Sequence, residues 1–213
     1  RDIPTLRQMT KGALNVLEQD DNGFFMMIEG GAVDWQNHDN AIDLMLREQK
    51  DFDDSVQEVI NWIEANGGWG ENLLIVTSDH ETGAIWGPGT VLDANGTPDD
   101  HTDDVIAEAW KNVVDNGVGS TPGVQYCSGG HSNPLVPLWA RGPGADLFGS
   151  LVDGNDPTAA DFWTQFGGTE GWNGDYVDNT DVFTVMENAV PEPATMGVLA
   201  VGAVALLRRR KRG

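Results

Sequence analysis

Three of the four histidines lie beside carboxylates or glycines in a pattern that suits metal chemistry. Asp34 and His38 are four residues apart, so on a helical turn they share a face. Asp79-His80 follows an apolar run ending at Val76, and His131 follows Gly129-Gly130, where the backbone can approach closely. Glu29 ends a second apolar run, Phe24 to Ile28, and opens Gly30-Gly31. Glu29, Asp34, His38, Asp79, His80 and His131 thus form a set of imidazoles and carboxylates. Zinc takes such nitrogen and oxygen donors at about 2.0–2.2 Å. Two such ions about 3.5–4 Å apart can clamp a phosphoryl group. The remaining histidine, His101, sits in the polar run Pro98-Asp99-Asp100-His101 and reads as an ordinary loop residue.

The elements that must carry these residues follow from periodicity. Thr5-Leu6-Arg7-Gln8 has the form of a capping box, and Leu6, Met9, Ala13, Val16 and Leu17 share one helical face, which predicts a helix over 4–20. Asp20-Asp21-Asn22-Gly23 is a turn, and the unbroken apolar run Phe24–Ile28 reads as a buried strand. Ile42, Met45, Phe52, Val56, Val59 and Ile63 predict a long helix that stops near Asn66-Gly67-Gly68. Leu73 to Val76 is a second buried strand, and strand, helix, strand implies a right-handed parallel crossover. Open α/β sheets place their sites at the carboxyl ends of strands, where Glu29 and Asp79-His80 fall.

Residues 87–104 read as a loop, followed by a short helix around 103–114. Leu135–Ala140 reads as a strand made irregular by Pro137. The Gly, Asp and Asn of 141–181 point to long surface loops, and Asp181–Ala189 to a last helix.

Composition narrows the function. The formal net charge is −22 over 213 residues, although Arg208 to Arg212 form one basic run, so the rest is more acidic still. Such a body argues against nucleic-acid binding, which needs basic patches for phosphate contacts. It also repels anionic substrates unless bound cations invert the local field. The single cysteine, Cys127, permits no internal disulfide and reads as a small buried hydrophobe. The sequence opens on Arg1, so an N-terminal portion is expected ahead of it.

Three ordered segments resemble the alkaline phosphatase family. They are Gly23-Phe24-Phe25-Met26-Met27-Ile28-Glu29-Gly30-Gly31 through His38, Thr77-Ser78-Asp79-His80-Glu81-Thr82-Gly83, and Gly130-His131-Ser132 through Val136-Pro137 with Gly142-Pro143-Gly144-Ala145. The resemblance covers most of residues 4–189. It implies a three-layer α/β/α sandwich with a mostly parallel central sheet, incomplete at the N-terminus. It implies phosphate monoester hydrolysis with two Zn2+ and one Mg2+ as cofactors. Asp34, His38 and His131 would hold one zinc, Asp79 and His80 the second, and Glu29 the magnesium. The family's nucleophilic serine matches no serine here, so no catalytic residue is assigned in this chain, which alone should be inactive. Trp35 stands where family members often carry Lys or His, which leaves the third site's metal open. The resemblance also allows a homodimer. Two alternatives stand beside it: a phosphodiesterase or sulfatase-like hydrolase of the same superfamily, and a non-catalytic acidic cell-surface protein.

Residues 190–213 differ from the body (1–189). Val190-Pro191-Glu192-Pro193, an apolar stretch over 194–207 and the basic run resemble a PEP-CTERM sorting signal. That resemblance implies export, transient membrane retention by the apolar stretch and cleavage by an exosortase. At this length the stretch is short for a full span, which needs about 20 apolar residues.

Overall fold

The computed structural model describes residues 3–92, 105–106, 111–165 and 172–189. It divides into two units, Arg1–Asn66 with Val76–Leu138, and Gly67–Ile75 with Trp139–Gly213.

The first unit opens with α1 (Leu6–Leu17), and the capping box forms as the sequence predicts. Gln8 N donates to Thr5 Oγ1 at 3.1 Å, and Thr5 N donates to Gln8 Oε1 at 3.0 Å. After α2 (Ala32–His38), the 24-residue α3 (Ile42–Ala65) ends at Asn66, at the expected stop. Both shorter helices pack on α3. Leu14 of α1 and Ile63 of α3 are each 2% exposed. Full burial of such a side chain contributes about 1.5–3 kcal/mol. Polar contacts set the α1–α3 register: Leu6 N donates to Asp51 Oδ2 at 2.8 Å, and Trp62 Nε1 to Glu18 Oε2 at 2.8 Å. The glycine ahead of α2 has a packing reason. A Cβ on Gly30 would stand 2.8 Å from the ring of Phe52 on α3, so only glycine lets the helix entry lie this close.

The strands are short. They are β1 (Leu74–Thr77), β2 (Glu81–Thr82), β3 (Ile85–Trp86), β4 (Val91–Leu92), β5 (Val105–Ile106), β6 (Gln125–Tyr126), β7 (His131–Ser132) and β8 (Leu138–Arg141). β1 neighbours β8, and β2–β7, β3–β6 and β4–β5 are antiparallel pairs. In the second unit, β9 (Gly154–Asn155) pairs antiparallel with β10 (Asp175–Tyr176), beside α4 (Pro157–Gln165) and α5 (Asp181–Ala189).

Several expectations need correction. Phe24–Ile28 is not a strand: no described strand pairs with it, and Phe25 and Met27 are 72% and 79% exposed. An apolar run reports a wish for burial, whereas a strand exists only through its partner's hydrogen bonds. The parallel strand–helix–strand crossover therefore does not form among the described residues, whose sheets are two-stranded. Nor does a helix form at the described residues of 103–114, which are 105–106 and 111–114. Val105–Ile106 is a strand, and Val114 bridges Gly123. β-branched residues favour the extended chain, and the backbone is tied sideways, with Gly87 N donating to Lys111 O at 2.8 Å. The strand expected at 135–140 starts only after Pro137, at Leu138. Within 141–181 there is order as well as loop. Asp156 Oδ1 accepts from Thr158 N and Ala159 N, both at 3.0 Å, which starts α4 at Pro157. The helix Asp181–Ala189 lies where the sequence places it. His101 and the tail from 190 onward lie outside the described residues.

Candidate metal centre

The site is built entirely within the first unit. α2 carries Asp34 and His38 one turn apart, with Asp34 Oδ2 3.4 Å from His38 Nε2. The β2–β7 ladder sets Thr82 opposite His131 and Glu81 opposite Ser132, whose hydroxyl donates to the Glu81 carboxylate. Beyond β2 the chain turns sharply at Gly83, with φ +96°. There the Tyr126 ring lies 2.7 Å from where a Cβ would stand. The turn is stapled to the segment before β7. Gly83 N donates to Gly130 O at 3.1 Å, and Ser128 N to Gly83 O at 3.1 Å.

These elements gather three rings and a carboxylate. His38 Nε2 and His131 Nε2 are 3.0 Å apart, and His131 Nε2 is 3.5 Å from Asp34 Oδ1. The His80 ring stacks on His131 with centroids 3.6 Å apart. One donor atom each from Asp34, His80 and His131 lies within 4.8 Å of the others. Backbone and side-chain groups behind the cluster aim it. His38 Nδ1 lies 2.8 Å from Gly129 O, which accepts its proton and leaves Nε2 facing inward. The Thr82 hydroxyl donates to Asp34 Oδ1 at 2.6 Å. That bond, above all, holds the Asp34 carboxyl below the usual range; burial opposes it, and His38, His131 and His80 add to it.

The other two carboxylates lie differently. Asp79 meets the cluster through His80 alone, Oδ2 to Nε2 at 3.2 Å, and its side chain is 85% exposed. Glu29 is exposed, with Oε1 lying over Gly31. Sequence reasoning gave no role to Thr82 or to the Gly129 carbonyl. Thr82 was findable: two residues past His80 in an extended chain, it shares that residue's side. Cys127 is half-buried, its thiol pushed up by burial and then by Glu81.

The sequence profile described as alkaline phosphatase matches residues 1–110, more than half of the chain. The chain belongs to the alkaline phosphatase family. A second profile, the PEP-CTERM protein-sorting motif, matches residues 189–212 and marks export and surface sorting. Among its relatives, Alkaline phosphatase 3 of Bacillus subtilis (strain 168) is 25% identical over 73% of this chain and 43% of its own length. Alkaline phosphatase H of Pseudomonas aeruginosa (strain UCBPP-PA14) is 42% identical over 37% of this chain and 16% of its own. The solved alkaline phosphatase of the Antarctic bacterium TAB5 is 29% identical, covering 67% of this chain and 35% of that one, at a TM-score of 0.48. The chain thus spans less than half the length of these relatives. Among the described residues, no helix is long and apolar enough to cross a membrane.

Proposed function

We propose that the protein carrying this chain is an exported, metal-dependent phosphatase that hydrolyses phosphate monoesters. The observation that carries the reading is the convergence of Asp34, His38 and His131: His38 Nε2 lies 3.0 Å from His131 Nε2, Asp34 Oδ2 lies 3.4 Å from His38 Nε2, and the other Asp34 oxygen, Oδ1, lies 3.5 Å from His131 Nε2. Donors at about 2.0–2.2 Å from a tetrahedral zinc stand about 3.3–3.6 Å apart, so each carboxylate–imidazole contact is of ligand-to-ligand size, through one Asp34 oxygen or the other, and the imidazole pair is slightly tight. The chemistry fits too: neutral imidazole nitrogens and an ionised carboxylate are zinc's preferred partners.

Asp34, His38 and His131 would hold one zinc, Asp79 and His80 the second, and Glu29 a magnesium. Cations bound there supply Lewis-acid stabilisation to a phosphoryl group and reverse the field of a chain whose net charge is −22. This chain's residues act by holding and orienting. Asp34 and His38 come as a rigid pair from α2, His131 from β7, and the Gly129 carbonyl keeps the His38 proton on Nδ1. The nucleophilic serine lies outside these 213 residues, so the chain alone turns over no substrate. The complete catalytic domain, of which 1–189 form the C-terminal part, is a three-layer α/β/α sandwich with a mostly parallel sheet, and it works as a homodimer. Residues 190–213 form the sorting signal: the apolar stretch over 194–207 holds the protein in the membrane until an exosortase cuts near Pro191-Glu192-Pro193.

The test is turnover of p-nitrophenyl phosphate by the full-length protein. Activity is expected to vanish on chelation and to return with Zn2+ and Mg2+. Turnover that survives exhaustive chelation, or its absence in zinc-loaded protein, would overturn the reading.

A further inference from the structure

Thr82 is buried, at 5% exposure, yet its hydroxyl meets two of the gathered residues. Oγ1 lies 2.6 Å from Asp34 Oδ1 and 3.2 Å from His80 Nδ1. A hydroxyl has one proton to give and two lone pairs to receive with. At 2.6 Å from a carboxylate, which can only accept, that proton must go to Asp34. The contact to His80 can then be a hydrogen bond only if Nδ1 carries the ring proton. A neutral imidazole protonated on Nδ1 presents a lone pair at Nε2, and since Nε2 lies 3.2 Å from Asp79 Oδ2, two acceptors then face each other with room for a shared cation rather than a proton. The β2–β7 register adds a third link, since Thr82 stands directly opposite His131 and shares its face of the ladder.

We propose that Thr82 is a positioning residue of the metal centre: its hydroxyl accepts a hydrogen bond from His80 Nδ1–H and donates one to Asp34. It thereby fixes the tautomer of one ligand and the orientation of the other. The role rests on reading the cluster as a metal site. It extends that reading, because it ties Asp34 to His80, residues the family resemblance assigns to different zinc ions. The residue type suits the task. Threonine's branched Cβ restricts χ1, so the hydroxyl is aimed rather than free. Valine would keep the shape but leave a carboxylate oxygen and a ring N–H without their partner.

The test uses the full-length protein, with zinc affinity measured by competition with a chelating dye. Thr82→Val should weaken zinc binding about 10–100-fold, the usual cost of losing a group that orients a ligand. Thr82→Ser, which retains the hydroxyl, should recover most of the affinity. Long-range proton–nitrogen NMR of the unmutated, zinc-loaded protein, with labelled histidine, should place the His80 proton on Nδ1. This measurement decides the question even if the valine variant fails to fold. Undiminished zinc affinity in Thr82→Val, or a His80 proton on Nε2, would overturn the role of Thr82 and leave the phosphatase reading intact. Zinc bound tightly with no turnover would overturn that reading and leave Thr82 standing. Failure of the unmutated protein to bind zinc would overturn both.

Discussion

The six acidic and imidazole groups singled out in the sequence fall into two kinds of surroundings. Asp34, His38 and His80 each have a further hydrogen-bond partner behind them: the Thr82 hydroxyl for Asp34 and His80, the Gly129 carbonyl for His38. His131 is fixed by its ladder with β2. Glu29 and Asp79 instead stand on irregular chain with exposed carboxylates. The difference teaches that a ligand's type and spacing do not make it preorganised. Orientation comes from the second contact, and here the short β2–β7 pair and α2 supply it. The first group should therefore respond to substitution through geometry, the second through local charge and ion supply.

The hardest blow to the organised group is His131→Ala, which removes the ring that touches both His38 and His80. In the full-length protein kcat/KM for p-nitrophenyl phosphate is expected to fall at least about 1,000-fold, roughly 4 kcal/mol of barrier. Bound zinc, measured by elemental analysis, should fall with it. A variant within tenfold of the unmutated enzyme would strip this cluster of its assigned importance. Next comes Gly83→Ala, which leaves every donor in place and attacks the staple. Its positive φ and the Tyr126 ring 2.7 Å from the new Cβ make the change strained twice over. A loss of about 2–3 kcal/mol is expected, read as a lower Tm of the zinc-loaded protein. An unchanged Tm would show that the turn does not hold the site.

What the sequence made legible was local. The capping box of Thr5 and Gln8, the long period of α3 and the Asp34–His38 pair all depend on residues within one or two turns, where pattern and physics coincide. Illegible was whatever depends on a distant partner. Phe24–Ile28 is as apolar as a core strand, but no described strand pairs with it. Val105–Ile106 looked like part of a helix until Val91–Leu92 paired with it. The site shows both sides. Its donors were visible as residue types near apolar runs. The opposition of Thr82 and His131 depends on a register between segments about fifty residues apart, which no local pattern encodes. Asp156-Pro157 is a different failure: the helix-start signal was local and simply outvoted by the Gly and Asp around it.

Glu29→Gln sharpens the comparison from the disorganised side. With the charge removed but the shape kept, kcat/KM should fall about tenfold, near 1.4 kcal/mol, and recover as Mg2+ is raised. Zinc content should not change. Loss of zinc in this variant would merge the two groups that the geometry separates.

The smallest effect belongs to a carboxylate that is organised yet far from any donor. Glu58 on α3 accepts from Arg7 at 2.9 Å and pairs with Lys11 at 3.4 Å, and the Arg7 bond above all holds its carboxyl below the ordinary value. A depressed folded-state pKa stabilises the fold above the ordinary carboxylate range, and this contribution is lost as pH falls through the folded value. The side chains of Arg7 and Lys11 are 53% and 64% exposed, so solvent screening limits the pair to less than about 1 kcal/mol. Glu58→Gln should therefore lower Tm slightly at neutral pH, and the gap should close as pH falls through the depressed folded-state value of the unmutated carboxyl. Phosphatase turnover should stay unchanged throughout. A Tm gap that persists into acid would mean that Glu58 holds α1 on α3 by packing its stem rather than by charge.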